Sequence, residues 1–401
     1  MGWHLRQLSK IDVRKLLRVD VGRMTLLPFI MILSVVFNTS ISFDVLEFPP
    51  LLYLVLVMAV LSCIIMFYLY LRKGSLSILV LMAILFEMML LASSIINDAD
   101  IKKCFFDGCY VIFIVMICDY YKNRFHMLIA AFAIAFSICA YLNLFHLLMH
   151  PELWLIDELK SSQGYLLGNN YNGMGCRLLC AVGLSIACLK FSKWWFLNVI
   201  PVTIVSTASL GIVGSMTSMT GMLLLIALCL IPTHKLLKIS IVSLIAIVIL
   251  FQIFVCFQGK GIEQNEFAVW FVEDVLGKDI TFTLRTYMWD SASKVVAESP
   301  LYGHGLVTTD WYYSHMSSLA KGPHNFIWAI LIFGGVILLA IFTFICCMVF
   351  IRLPKTKDRY ILYIYATAAV LFLMKTMEFY PPLFIFCLLS LAFFAPRSNS
   401  A

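Results

Sequence analysis

Charged residues are scarce in this chain. Asp, Glu, Lys and Arg make up 13% of its 401 residues, hydrophobic residues make up 62%, and the mean hydropathy is +0.96. This composition excludes an ordinary soluble domain, because no soluble core needs so much apolar surface. Apolar runs of about 20 residues recur along the chain, as the thickness of a bilayer demands. The sequence therefore predicts an all-α polytopic membrane protein.

Several chemical signatures are also missing. None of the 13 cysteines lies in the long hydrophilic segment 258–323, so the sequence supports no disulfide framework there. There are no paired zinc ligands and no phosphate-binding Gly-Lys-Ser/Thr sequence. We therefore predict neither a metal site nor a cofactor. No small-residue cleavage site follows the first apolar run, which predicts an uncleaved first span after a basic cytoplasmic tail.

The apolar runs predict about 12 transmembrane helices in a single integral membrane domain, residues 1–401. The predicted spans are 24–42, 49–71, 75–95, 104–121, 126–149, 167–189, 194–213, 216–233, 239–257, 324–350, 360–377 and 379–395. With this assignment, 19 of the 29 Lys and Arg residues lie in the termini and in alternate loops. The positive-inside rule then predicts that both termini are cytoplasmic.

Two of the predicted outer loops are longer than the rest, namely 150–166 and 258–323. Connections of the second length are usually functional, so we expect 258–323 to form part of the active site. Apolar residues at three- and four-residue spacing predict an amphipathic interfacial helix over Phe267–Val275. A second helix is predicted from Thr283 to about Glu298, before Pro300, with Arg285 in its first turn.

Two of the 11 arginines depart from the cytoplasmic distribution of the others. Arg177 lies inside an apolar span, and Arg285 is the only arginine in the long outer loop. An ionisable side chain inside a bilayer costs several kcal/mol and by default marks a functional site with an anionic partner. The two guanidiniums therefore predict an anionic ligand handled near the outer leaflet.

The stretch at the start of span ten is a second candidate site. Pro323 suits the first position of a helix, which would place His324 and Asn325 in the first turn of a helix N-terminus facing outward. Such a terminus attracts anions, and His324 can exchange a proton near neutral pH. Lys321 precedes it in the sequence. The alternative interpretation is an ordinary helix start at the headgroup level.

Polar residues also begin span six. Asn170, Asn172 and Arg177 occupy its first turns, and Asn170 and Arg177 share one face, which must point into the protein rather than at lipid. We predict that this face binds substrate. The alternative is a structural arginine that donates to backbone carbonyls.

Taken in order, these features resemble the O-antigen ligase and O-antigen polymerase superfamily of bacterial envelope glycan enzymes, over about residues 165–395. The resemblance rests on Gly168-Asn169-Asn170-Tyr171-Asn172, Gly214-Ser215-Met216-Thr217, Leu284-Arg285, Ser299-Pro300-Leu301-Tyr302-Gly303, Gly305, His324-Asn325 and Gly334-Gly335. One departure is that family members often carry an arginine at the position of Met216. A second arginine of a phosphate clamp would then have to be Arg177.

The resemblance implies a metal-independent, inverting glycosyltransferase of the bacterial cytoplasmic membrane. Its donor would be a glycan on undecaprenyl diphosphate, and its acceptor the hydroxyl of another glycan. By the same resemblance, Arg285 would hold the diphosphate, and His324 would act on the acceptor hydroxyl or orient the leaving group. Gly303 and Gly305 would shape the loop at the substrate.

Three functions follow from these expectations. The first is a polymerase of O-antigen, capsule or exopolysaccharide repeat units, which we favour because no surface for docking a lipid A core is evident. The second is a ligase that transfers the glycan to a lipid A core or another acceptor. The third, from a different class, is a flippase or transporter for the same lipid, but transporters tend to carry polar groups at midplane within paired repeats.

Overall fold

The computed structural model describes residues 26–42, 49–155, 165–168, 171–275, 285–316, 322–374 and 382–396. Within these ranges the chain is helical, with a single isolated β-bridge between Ile41 and Leu167. The main helices are α1 (Leu26–Ser40), α2 (Pro49–Lys73), α3 (Ile78–Ile96), α4 (Ile101–Tyr120), α5 (Phe125–Met149), α6 (Tyr171–Cys188), α7 (Phe196–Val213), α8 (Met216–Leu230), α9 (His234–Phe251), α10 (Arg285–Glu298), α11 (Thr309–His315), α12 (Phe326–Phe350), α13 (Arg359–Met374) and α14 (Leu383–Phe394). The predicted all-α polytopic class is confirmed.

A helix occurs at each of the predicted spans, because each apolar run satisfies its backbone polar groups internally when it is helical. Six of the described segments are long and apolar enough to cross a membrane, and they contain α2, α3, α5, α7, α9 and α12. The apolar helices α1, α8, α13 and α14, and the described part of α6, are shorter. α4 has the length of a span but carries Lys102, Lys103, Asp107 and Asp119.

The centre of the bundle is formed by α6, α13 and α14. Every residue of α14 is buried, and so is nearly every residue of α13. α6 packs between α5 and α13, and α14 packs on α4 and α13. A helix that is apolar all round is stable only when other helices or lipid surround it. The uniform hydrophobicity of α13 and α14 is thus explained by their central position.

α2 lies at the periphery and shows the opposite pattern. Its large exposed side chains recur at helical spacing on one face: Tyr53, Leu54, Val57, Leu61, Ile64, Phe67, Tyr68 and Leu71. Apolar side chains that face outward over the length of a helix are suited to lipid and not to water. This face of the molecule is therefore consistent with a surface against hydrocarbon.

The described part of the segment 258–323 is mostly helical. It contains a 3-10 turn (Gly259–Gln264), a short α-helix (Glu266–Val269), a π-helical turn (Trp270–Val275), α10 and α11. The two predicted helical regions of this loop are therefore helical in the structure. α10 packs on the 3-10 turn and on α12, which holds it against the bundle.

Candidate functional site

The helical backbone of α12 is interrupted in its N-terminal half. Gly334 and Gly335 have non-helical backbone angles, and Gly335 has a φ of +62°. The break frees the carbonyls of Ile332 and Phe333, which would be costly without partners inside a membrane protein. The stretch after α10 supplies them: the amide of His304 donates to Ile332 O (2.7 Å) and that of Gly305 to Phe333 O (2.9 Å).

The same stretch accepts a hydrogen bond beyond the break, because the amide of Val336 donates to Pro300 O at 2.8 Å. The end of α3 holds it from the other side. Ser93 Oγ lies within hydrogen-bond distance of two carbonyls, Tyr302 O (2.6 Å) and Phe333 O (2.8 Å), and Asn97 Nδ2 donates to Gly303 O (3.2 Å). We call residues 299–306, which fill the break of α12 and contact the end of α3, the docking loop.

Gly303 and Gly305, which we predicted at the substrate, contact protein backbone in this loop. Gly303 has a φ of +67°, and a Cβ added to it would lie 2.6 Å from Gly334 N and Ile332 O. A Cβ on Gly305, with a φ of +76°, would lie 2.5 Å from the Cα of Ser94. Only glycine allows both this conformation and this approach. In the structure, these two glycines allow the docking loop to pack closely against α12 and α3.

Asn325 is the N-cap of α12. Its Oδ1 accepts hydrogen bonds from the amides of Ile327 (2.9 Å) and Trp328 (3.1 Å). Asn325 is fully buried. The prediction that Pro323 starts the helix and that His324 and Asn325 lie in its first turn is wrong. The side chain of Asn325 satisfies two first-turn amides, so the helix begins after it, at Phe326.

Asn325 also connects α12 to the end of α9. Its Nδ2 donates to Gln252 Oε1 at 2.7 Å and lies 3.2 Å from Cys256 Sγ. The indole of Trp328 donates to Cys256 O at 3.1 Å. Gln252 and Cys256 bound a π-helical turn that extends α9, and π-turns are frequent at functional sites. Because both groups of its amide are used within the protein, Asn325 is placed to position its neighbours.

His324 lies immediately before this cap in a left-handed conformation, with a φ of +47°. For a residue other than glycine such a conformation costs about 1–3 kcal/mol and persists only where the surroundings impose it. Its neighbours Pro323 and Asn325 are buried, whereas His324 itself is partly exposed. The backbone of His324 is thus anchored on both sides, immediately before the N-cap of α12.

Arg285 is the first residue of α10 and is partly buried. The next turns of α10 are fixed, since Thr286 Oγ1 donates to Glu263 Oε1 (3.2 Å) and the buried ring of Trp289 meets Phe251 edge-on at 6.3 Å. α10, whose first described residue is Arg285, and the α12 N-cap Asn325 therefore both contact the end of α9.

Arg177 is also buried, at 8% exposure, as the face predicted for span six requires. Its Nη1 donates to Gly173 O (2.9 Å), its Nη2 donates to Thr39 O (3.1 Å), and its Cζ lies 4.6 Å from the ring centroid of Phe384. These contacts join α6 to α1 and α14, not to the elements that carry Arg285 and His324. They fit the structural alternative given for this arginine.

The remaining candidate residues cannot be placed in the site. Asn170 and Lys321 lie outside the described residues. Asn172 is the second residue of α6, and its side chain is also outside the described part of the structure. Met216, at the position where family members often have arginine, is 76% exposed at the start of α8. In the segment after α5, Glu152 accepts hydrogen bonds from its own amide and from His150, and these bonds lower the pKa of its carboxyl.

Sequence reasoning missed the residues that join these elements. Gln252 and Cys256 read as ordinary members of an apolar span, and Ser93, Ser94 and Asn97 as the end of another. The Gln252 amide within an otherwise apolar run was the available signal, because such a group needs a partner inside the protein.

The elements around Arg285 and the α12 N-terminus also carry the similarity to known proteins. Residues 200–343 match the family model described as O-Antigen ligase. The predicted resemblance is confirmed over this range, which runs from α7 into α12 and includes Arg285, the docking loop and His324. No curated protein and no solved structure matches the chain. The match supports membrane glycan processing of the ligase or polymerase type.

Proposed function

We propose that this protein polymerises oligosaccharide repeat units carried on undecaprenyl diphosphate, at the outer face of the bacterial cytoplasmic membrane. The products would be O-antigen, capsule or exopolysaccharide chains. The observation that carries the proposal is that α10, which carries Arg285, and the α12 N-cap both contact the end of α9, within the range that matches the O-antigen ligase family model. Arg285 and His324, which are 39 residues apart in sequence, thus lie on elements at one end of the bundle.

Arg285 is proposed to hold the diphosphate of the donor. A guanidinium presents its N–H groups as a planar fork that matches phosphate oxygens, and it stays charged at any physiological pH. The N-terminus of α12 adds the positive end of a helix dipole in the same region. A lipid-linked diphosphate suits this place, because its charged head needs cations and its polyprenyl tail needs an apolar groove.

In the proposed reaction, the acceptor hydroxyl oxygen attacks the anomeric carbon of the donor glycan. The bond from that carbon to the diphosphate oxygen breaks, and the electron pair leaves with the diphosphate. His324 takes the proton of the hydroxyl, and Arg285 stabilises the charge that develops on the leaving group. Attack from the side opposite to the leaving group inverts the anomeric configuration without a metal ion.

The test uses purified protein, a lipid-diphosphate glycan and no nucleotide, in the presence of EDTA. We expect longer glycans and free lipid diphosphate from the wild type. Arg285→Ala and His324→Ala should each lower the rate by about 10²–10³-fold or more, as loss of a transition-state donor does. Arg285→Lys should recover little, because an ammonium lacks the fork. The double variant should be scarcely worse than either single one, since both residues act in one step.

Two control variants remove the same kinds of group elsewhere in the long loop, one a cation and the other an imidazole ring. Lys294→Gln removes a cation from the exposed face of α10, and His315→Ala removes an exposed imidazole from α11. Both should retain activity. Near wild-type transfer by a well-folded Arg285→Ala protein would refute the diphosphate role. Movement of the lipid across the membrane with no new glycosidic bond would instead establish the transporter.

A ligase is the second candidate, because the matching family is described by that activity. The two enzymes share the donor and differ in the acceptor. The same assay with a lipid A core as the acceptor separates them. Transfer of the glycan to the core, with no chain growth on the lipid carrier, would assign the ligase.

A further inference from the structure

A cavity of about 880 Å³ lies at the opposite end of the bundle from the candidate site. It is bounded by the start of α3, the turn between α4 and α5, and the ends of α12 and α14. α12 begins at the candidate site and ends at this cavity, and its 25 residues span roughly 37 Å. The cavity is therefore separate from the proposed transfer reaction.

Three cationic side chains and one carboxylate line this cavity. The cations are Lys122, Arg124 and Arg352, and the carboxylate is Asp119. The Asp119 side chain is fully buried, and its charge is already compensated. Lys73 pairs with its Oδ2, Tyr70 donates to the same oxygen at 2.6 Å, and Lys122 Nζ lies 3.1 Å from Oδ1. The lining thus has an excess of positive charge.

Two of these cations are held in place by the fold. Asp119 fixes Lys122 at the rim, where the lysine side chain remains 46% exposed. The Arg352 guanidinium donates to Phe393 O, and its Cζ stacks over the Phe393 ring at 3.5 Å. A guanidinium that stacks on an aromatic ring is held in a fixed plane. The cavity is therefore a pre-organised cationic site.

The rest of the lining includes the aromatic rings of Phe125, Phe393 and Phe394, beside the polar side chains of Ser77, Asn123 and His126. Cations and aromatic rings thus border one volume at the ends of the helices, where the headgroups of a bilayer lie. A free phosphate would use only the cations, whereas a phospholipid would use both parts of the wall. By the positive-inside rule this end faces the cytoplasmic leaflet, where anionic lipids concentrate.

We propose that this cavity binds the phosphate of an anionic phospholipid headgroup, with Lys122, Arg124 and Arg352 on the phosphate and the aromatic wall against the first part of the acyl chains. Basic pockets between helices on the cytoplasmic side are suited to such headgroups. Its occupant would tie α4, α5, α12 and α14 together on the side of the bundle away from the proposed reaction.

The test measures lipid binding to delipidated protein in neutral detergent, by native mass spectrometry and by thermal shift. The probes are phosphatidylglycerol, phosphatidylcholine and inorganic phosphate. We expect saturable binding of phosphatidylglycerol that weakens at high salt, at least about tenfold tighter than phosphatidylcholine. The double variant Lys122→Gln/Arg124→Gln should weaken this binding at least about tenfold, as loss of two phosphate contacts implies.

The matched control is Lys190→Gln/Lys193→Gln, which removes two cations from another loop on the same side and should bind phosphatidylglycerol like the wild type. Equal loss in both double variants would show general attraction to the basic face and would overturn the cavity assignment. Binding of inorganic phosphate without preference for the phospholipid would overturn the headgroup assignment. Unchanged binding in the Lys122/Arg124 variant would overturn both.

Discussion

At the scale of single residues, the three polar side chains predicted to matter most have different surroundings. Arg285 and His324 lie at the beginnings of helices and are partly exposed, which suits contact with a ligand. Arg177 is buried, with two hydrogen bonds to backbone carbonyls and a ring beneath its guanidinium. A guanidinium with such contacts stabilises the fold, since it bridges elements whose carbonyls need donors.

Variants of Arg177 test this distinction. Arg177→Ala should lower the free energy of unfolding by about 2 kcal/mol, because two carbonyls lose a charged donor. Arg177→Lys should be intermediate, since one ammonium does not reproduce both bonds. Thermal unfolding in detergent measures stability, and activity is then expressed per folded molecule. Wild-type stability combined with lost transfer would return Arg177 to the substrate site as the second arginine of a clamp.

At the scale of elements, the candidate site depends on a helix that is broken and repaired by another segment. The docking loop donates to the carbonyls of Ile332 and Phe333 and accepts from Val336, so it replaces part of the hydrogen bonding that α12 loses at Gly334 and Gly335. The loop leads from α10, and α12 begins at Asn325. The contact therefore fixes α10 relative to the α12 N-terminus, which is where Arg285 and His324 lie.

Alanine substitutions at two glycines test the docking. Gly74 and Gly303 both have a positive φ, but a Cβ at Gly74 meets nothing within 4 Å, whereas one at Gly303 meets the backbone of α12. Gly74→Ala should cost about 1–2 kcal/mol for the conformation alone. Gly303→Ala should cost about 1–3 kcal/mol more and should impair transfer. Equal stability losses, measured by thermal unfolding, would show that the docking loop is not tightly seated.

At the scale of the whole molecule, the two ends of the bundle differ in charge and shape. One end carries the helical loop with Arg285 and the docking loop, and the other carries the cationic cavity at Lys122 and Arg352. The lipid-facing surface of α2 lies between them. The positive-inside rule predicts that the cavity end is cytoplasmic and that the candidate site is outside.

Cysteine labelling of intact cells tests this orientation. Ser314→Cys, exposed on α11, should react with a membrane-impermeant maleimide, and Lys357→Cys, exposed between α12 and α13, should react only after the cells are opened. Both are introduced into a chain from which the exposed Cys347 has been removed, and this parent is the background control. Labelling of Lys357→Cys from outside would reverse the orientation and with it the proposed place of the reaction.

The sequence by itself determined the class of the protein and the position of its helices. Hydrophobic length and helical period are properties of contiguous residues, so the spans and the helical parts of the long loop, including the helix that carries Arg285, followed from them. The nearby prediction for the start of α12 failed. Pro323 was a local signal for a helix start, but the side chain of Asn325 caps the helix instead, so α12 begins after it. The same side chain donates a hydrogen bond to Gln252, 73 residues earlier.

Only the tertiary structure decided which residues meet. The end of α9 contacts α10 through Phe251 and Trp289, and it contacts Asn325 through Gln252 and Cys256. The docking loop fills the break of α12 through bonds between residues about 30 apart. The close contacts of Gly303 with α12 and of Gly305 with α3 could not be predicted from the sequence either. A buried polar group needs a hydrogen-bond partner, and tertiary packing determines which residue that partner is. The sequence shows the need for a partner but not its identity.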